Sequence, residues 1–304
     1  MSSPLKNIAI TGASGSLGSV VLQKLISSET FNIRVVRRTG SSATFPSNIE
    51  VVDADFNDPS SLETALAGQD AVINAIAVYG DTRPHLAIAK AAVAAGVKRF
   101  IPSEYGANLD VAATRAIPIF AGKIEVQDYL KDAVSTHQEF SYTLVFNAGF
   151  LDWGLANDFL LPGLTQAKPL IINGGDLEFS TTTLTSVADA VVGILEHPEE
   201  TKNRSVKVHD MVITQNRLLE LAKRVAPGKE WQPVAGDLDE MLKAAGVKLA
   251  QGIYDVESTF PMLAKATFDN SCGCRYTDTD NELLGVKGKT EEDVVELLKK
   301  VLLE

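Results

Sequence analysis

The sequence predicts an α/β fold, a doubly wound parallel sheet between two layers of helices with a smaller α/β lobe attached. Three observations predict it. Short apolar, β-branched runs alternate with helical patterns through the first half, the order that builds parallel strands joined by right-handed crossovers. A glycine triplet, Gly12-Ala13-Ser14-Gly15-Ser16-Leu17-Gly18, separates the first apolar run from the first helical pattern. In the second half the alternation fades and Pro and Gly breaks appear, so that part reads as a separate lobe.

Taken in order, Asn7-Ile8-Ala9-Ile10-Thr11 is apolar and too short for a helix, hence a strand. Leu17, Val21 and Leu25 then recur at steps of four with Val20 beside them, so a helix with one buried face starts at the glycines. Gly12 permits a sharp turn, Gly15 lets the backbone approach a ligand, and Gly18 lets helix and strand pack closely. The helix start turns its positive dipole end and its unpaired amides, around Ser14, Gly15, Ser16 and Leu17, toward an anion such as a pyrophosphate. Strands follow at residues 32–36, 49–52, 71–76, 99–102 and 142–146. Helical patterns cover residues 59–66 and 85–95, the latter closed by Gly96. Farther on, residues 155–163 carry a Pro/Gly break and Gly174-Gly175-Asp176 reads as a hairpin-like turn. Residues 187–196, 217–225, 238–245 and 291–303 read as helices.

In a sheet of this kind ligands bind outside the carboxyl ends of the strands. Those ends carry Gly12, Arg37-Arg38, Asn74-Ala75-Ile76-Ala77, Pro102-Ser103-Glu104-Tyr105 and Asn147-Ala148-Gly149-Phe150. The expectation is a Rossmann-type NAD(P)-binding domain over residues 1–150. Residues 151–304 form mostly a substrate-binding lobe, with segments returning to the main sheet. Cofactor contacts fall to the glycine loop, to Ala75, Ala77, Asn147 and Phe150, and to Asp55 and Phe56 as a border for adenine. An NAD site places an acid about 20 residues after the glycines. Here Arg38 stands there, preceded by Arg37, and a guanidinium grips a 2′-phosphate that a carboxylate would repel. NADPH/NADP+ is the expected cofactor.

Composition narrows the rest. The 304 residues are 45% hydrophobic, enough for a substantial core, and no apolar stretch is long enough to span a membrane. A net charge of −11 speaks against a nucleic-acid surface. Cys272 and Cys274 are too few for a disulfide framework and have no Cys or His cluster near them for a metal site, so they read as reduced thiols. The N-terminus leaves no room for a signal peptide before the first strand. The expectation is a cytoplasmic protein, monomer or homodimer, acting on a small molecule.

None of the six tyrosines has a lysine four positions on, so the Tyr-x-x-x-Lys pair of ordinary short-chain dehydrogenases is missing. The Gly-x-x-Gly-x-x-Gly spacing is instead the form used by extended and atypical members of that superfamily. Together with Val97-Lys98-Arg99-Phe100-Ile101-Pro102-Ser103-Glu104-Tyr105-Gly106, Pro118-Ile119-Phe120-Ala121-Gly122-Lys123 and Asn147-Ala148-Gly149-Phe150, it makes the chain resemble NmrA-like and isoflavone-reductase-like proteins, fungal type. The resemblance runs over nearly the whole chain. It implies an NADPH-dependent reductase of a small aromatic, phenylpropanoid- or polyketide-like substrate, with Lys123 beside the nicotinamide ribose as general acid. The alternative it implies is a non-catalytic NADP(H)-binding redox sensor that regulates a partner protein. Read alone, Lys123 is a solvated lysine at a helix start. Tyr79, Tyr105, Phe150 and Trp153 stand just past strand ends, where they suit either an aromatic substrate wall or packing between lobes. Plant reductases of this family carry glutamine where this chain has His85. That histidine reads as a partly exposed helix residue, or alternatively as one that tunes the pocket or relays a proton.

Overall fold

The computed structural model describes residues 5–77 and 82–303. Strand β1 (Asn7–Thr11) leads through the glycine loop into helix α1 (Ser16–Ser28), and β2 (Asn32–Arg38) and β3 (Glu50–Ala54) follow. Asp58 caps α2 (Pro59–Leu66) by accepting from the Ser60 N–H, and Pro59 supplies a first helical residue that needs no donor. Next come β4 (Ala71–Asn74), α3 (Arg83–Ala94), β5 (Arg99–Ile101), the short α4 (Ala112–Arg115), a 3₁₀ turn (Pro118–Phe120), α5 (Ala121–Thr136) and β6 (Ser141–Phe146).

The second half holds β7 (Gly149–Phe150), α6 (Leu151–Ala156), β8 (Leu170–Ile172), β9 (Phe179–Thr182), α7 (Leu184–Glu196), β10 (Arg204–Lys207) and β11 (Met211–Ile213). It ends with α8 (Gln215–Val225), β12 (Val234–Gly236), α9 (Leu238–Ala250), α10 (Val256–Phe268) and α11 (Glu291–Leu303).

Seven strands form one parallel sheet in the order β10-β6-β5-β4-β1-β2-β3. β4 and β6 are buried at every position, as strands covered on both faces must be. One face packs on α1 and α7 through Leu17, Val21, Leu25, Val187 and Val191, and the other on α2, α3 and α5 through Leu62, Leu66, Ile88, Val126 and Leu130. The sheet is therefore doubly wound, as its sequence implied. The strand order reverses between β1 and β4, and there the following loops diverge and leave a crevice.

A third core gathers Leu151, Leu160, Phe179, Leu218, Leu238, Phe268 and Leu298 from the second half. Two segments of that half serve the main sheet: β10 adds its outer strand beside β6, and α7 lies along α1. Gly174 and Gly175 do turn the chain, with φ of +84° and +75°, but make no hairpin. The strands on either side pair elsewhere, β8 with β12 and β9 with β11 and β7.

Candidate active site

The glycine loop closes on itself and on its neighbour. Gly12 has φ of +74°, and a Cβ there would sit 2.5 Å from the Ala75 carbonyl carbon. A Cβ on Gly18 would sit 2.7 Å from the Gly12 carbonyl carbon, so only hydrogen lets α1 pack against the turn. A Cβ added at Gly15, the N-cap of α1, would meet nothing among the described residues nearer than the Gly12 oxygen at 3.3 Å. Ser14, Gly15 and Ser16 are exposed, among the described residues no side chain caps the helix, and its first turn carries no acid. An uncapped, acid-free helix start of this kind accepts phosphate.

At the end of β2 the two arginines part company. Arg37 is committed: its Nε and Nη2 fork onto Asp53 at 2.6 and 2.9 Å, and its Nη1 donates to the Ala43 carbonyl at 2.7 Å. Arg38 is exposed, and among the described residues no ion pair or side-chain hydrogen bond engages it. Of the two guanidiniums expected at a 2′-phosphate, only Arg38 is free to fork onto one. Asp55 is exposed and accepts from the Asn57 N–H at 2.9 Å, whereas Phe56 is buried in the core. Ala75 lies against Gly12, with its N–H on the Thr11 carbonyl at 3.0 Å, and Ala77 is exposed beside it.

On the far side of the switch point, β6 runs into a turn at Ala148, whose φ of +55° is unusual for a residue with a Cβ. The N–H groups of Asn147 and Ala148 both donate to the Gly106 carbonyl, at 3.1 and 2.9 Å, tying this loop to the one after β5. Asn147 is fully buried and its Oδ1 has no partner among the described residues. Phe150 is partly buried at this edge, and Trp153 follows it, partly exposed, on α6. Tyr105 is 8% exposed and packed in the core, and its hydroxyl has no hydrogen-bond partner among the described residues. Tyr79 lies outside the described residues.

Lys123 sits in the first turn of α5. Its Nζ donates to the backbone oxygen of Glu104 and lies 5.9 Å above the Phe120 ring. Gly122 makes this approach possible, because a Cβ there would fall 2.5 Å from Thr82 Cβ at the start of α3. Burial pulls the Lys123 pKa down, against the pull of the Glu104 carboxylate. Glu104 itself is 2% exposed, and its Oε2 has no hydrogen-bond partner among the described residues. Burial pushes its pKa up, opposed by Lys123, by Gln127 and by Arg115, whose Nη1 holds the Gln127 Oε1 at 2.6 Å. The solvated lysine that the isolated pattern suggests is thus a part-buried amine facing a buried carboxylate.

A small cavity of about 10 Å³ lies against Lys123, lined by Thr82, His85, Pro102, Ser103, Glu104, Gly122 and Val126. His85, expected to be partly exposed, is 5% exposed because α5 closes on the helix that carries it. Its Nδ1 lies 3.2 Å from Asn74 Nδ2, while Asn74 Oδ1 accepts from Thr11 Oγ1 at 3.0 Å and the Ile76 N–H at 3.3 Å. In the sequence Glu104 and Asn74 stand out only as parts of strand ends. The usable signal was a polar residue closing an otherwise apolar strand at the carboxyl edge, as Thr11 and Asn74 do. The donor set as a whole fits a phosphorylated dinucleotide: an open helix start, an unengaged guanidinium at the end of β2, and the orphaned Asn147 oxygen across the crevice.

Residues 4–280 match the profile of the NmrA-like family. Oxidoreductase poxI of Penicillium oxalicum is 31% identical over 302 residues, spanning 96% of this chain and 93% of that protein. Among solved structures, AtPrR2 with NADP+ and (+)pinoresinol aligns with a TM-score of 0.78 at 19% identity, over 99% of this chain and 100% of the other. Isoflavone reductase aligns with a TM-score of 0.76 at 20% identity, over 98% and 100%.

Proposed function

The chain belongs to the NmrA-like family, and on that premise we propose that it is an NADPH-dependent reductase of a small aromatic, phenylpropanoid- or polyketide-like substrate, with Lys123 as general acid. The observation that carries this reading is the Lys123 amine, part-buried at the carboxyl edge of the sheet and latched to the Glu104 carbonyl. A solvated lysine would have no reason to sit there. The names of the relatives point the same way: poxI is an oxidoreductase, and AtPrR2 holds NADP+ and (+)pinoresinol.

When bound, NADPH supplies the hydride. The chain does the rest. Gly12, Gly15 and the first-turn amides of Ser16, Leu17 and Gly18 receive the diphosphate, and Arg38 forks onto the 2′-phosphate. Asp55 and Phe56 bound the adenine. Ala75, Ala77, Asn147 and Phe150 line the nicotinamide end, with Trp153 as aromatic wall. Lys123 Nζ holds a proton for the substrate oxygen, and burial, by lowering its pKa, makes that proton easier to give near neutral pH.

Lys123→Ala tests the reading. With aryl ketones, enones and benzylic ethers as the panel, kcat should fall on the order of 10²-fold or more. NADPH affinity, measured by fluorescence titration, should stay within about twofold. An unchanged kcat removes the lysine from the mechanism. Silence of the wild-type protein across the panel, together with capture of a partner protein that depends on NADP+ versus NADPH, would establish the sensor instead.

A further inference from the structure

We propose that Gln127 and Arg115 are positioning residues of the reaction: together they hold the Glu104 side chain as a carboxylate against Lys123, so that the proton to be donated stays on the amine. The inference rests on the reading of Lys123 as proton donor and adds the residues that keep it charged.

A buried amine beside a buried carboxyl can lose both charges by passing one proton from nitrogen to oxygen, and burial favours that neutral pair. Burial acts in this direction on both groups here, lowering the Lys123 pKa and raising that of Glu104. A neutral amine is no acid. Something must hold the proton on nitrogen, and the residues behind Glu104 are placed to do so. Gln127 stands one turn along α5 from Lys123 and is 1% exposed. Arg115, in the last turn of α4, donates from Nη1 to one atom of the Gln127 amide at 2.6 Å. A guanidinium can only donate, so that atom is the carbonyl oxygen. The NH₂ is left for the Glu104 carboxyl, whose charged form it favours. Gln127 Nε2 and Glu104 Oε2 are both buried, and among the described residues no other group claims either.

An amide NH₂ discriminates between the two forms of a carboxyl. It donates best to a carboxylate, which only accepts, and less well to a carboxylic acid, which has given one oxygen to a proton. The positive charge of Arg115 and that of Lys123 itself favour the carboxylate too, and the charge of Asp110 opposes them. Arg115 is fixed in turn by Asp128, whose Oδ1 accepts from Nη2 at 2.7 Å. Two more titratable groups border the pair. Burial pushes the Tyr105 pKa up and keeps its hydroxyl neutral, and His85 faces the small cavity from α3. Once Lys123 has given its proton to the substrate oxygen, the carboxylate draws a replacement from solvent onto the amine. The same device therefore restores the acid between turnovers.

The test uses the full-length protein with NADPH and benzylideneacetone, an aryl enone, and every variant keeps His85 and Tyr105. Gln127→Leu removes the amide and keeps the bulk. The alkaline limb of its kcat–pH profile should move to lower pH by about one unit, the scale of one hydrogen bond to a charged group. The acid plateau of kcat and the NADPH affinity should stay within about threefold. In the Glu104→Gln background the same substitution should move the limb no further, an outcome that lost packing would not produce. Arg115→Met, at a part-exposed side chain, should move the limb the same way by less, and it serves if Gln127→Leu does not fold. Independently of turnover, protein labelled with ¹³C-glutamate, the Glu104 signal being assigned by its loss in Glu104→Gln, should show a carboxylate near neutral pH. In Gln127→Leu that signal should turn toward the carboxylic acid. A wild-type carboxylic acid at that pH overturns the proposal. So does a limb that stays in place in both Gln127→Leu and Arg115→Met, or one that moves equally with and without the Glu104 carboxyl. The two readings fail apart: an unchanged kcat in Lys123→Ala removes the lysine, whereas a lost kcat there with an unmoved limb in Gln127→Leu removes only Gln127 and Arg115.

Discussion

Arg37 and Arg38 are adjacent in the chain and differ in what remains for them to do. Arg37 uses its fork on Asp53, which raises its own pKa and lowers that of the acid, and this braces the turn at residues 39–43. Arg38 keeps its donors, and Arg38→Ala should weaken NADPH binding roughly tenfold or more, with NADH affected far less. Equal losses for both nucleotides, measured by titration, would take the 2′-phosphate away from Arg38. Glu104 permits a prediction with a definite sign. Its carboxylate favours the charged form of Lys123 while burial disfavours it, so Glu104→Gln leaves burial unopposed and lowers the lysine pKa further. An acid must be protonated to act, so the alkaline limb of the kcat–pH profile should move to lower pH. A limb that stays put would mean the two groups do not share their protons. The turn at Gly12 and the close packing at Gly18 were legible in the sequence because they depend on local spacing. Lys123 entered through the family resemblance, and His85 was expected to be partly exposed. Its burial comes from α5 folding over α3, and no window around residue 85 contains that helix.

Among elements, the approach of α5 to α3 is the contact on which the pocket depends, and it turns on one missing methyl group. Gly122→Ala would put a Cβ against Thr82 and force the two helix starts apart, destabilising the fold by about 1–3 kcal/mol and reducing turnover as Lys123 shifts. Thr82→Gly should recover most of both losses in the double variant, as read from denaturant midpoints and kcat. A double variant no better than Gly122→Ala alone would place the strain elsewhere. The main sheet and the helices flanking it were readable from periodicity, because the central strands β1, β4, β5 and β6 are buried on both faces and each helix on one. α10 was not read, since Pro261 interrupts its pattern. The helix survives because the proline removes one donor while a capping box between Asp255 and Ser258 secures its start. The hairpin expected at Gly174-Gly175 failed for a related reason: a turn signal reports where the chain bends, and the pairing of the flanking strands is decided by partners far along the chain.

For the molecule as a whole, the proposed cofactor binds only the folded crevice, so it must stabilise every element that shapes it. NADPH at a hundredfold excess over its Kd should add about 2.7 kcal/mol and raise the melting midpoint by roughly 5 °C. NADH at the same concentration should add much less. No shift from either nucleotide would mean that the glycine loop and Arg38 hold neither.

The outer strand at β10 and the helix at α7 come from beyond residue 150, yet they finish the layer on which the glycine loop rests. The nucleotide-binding half is consequently no transferable cassette. Grafted alone onto another protein, it would carry the raw edge of β6 and the uncovered apolar flank of α1, and recombination that swaps the second half must bring a matching strand and helix with it.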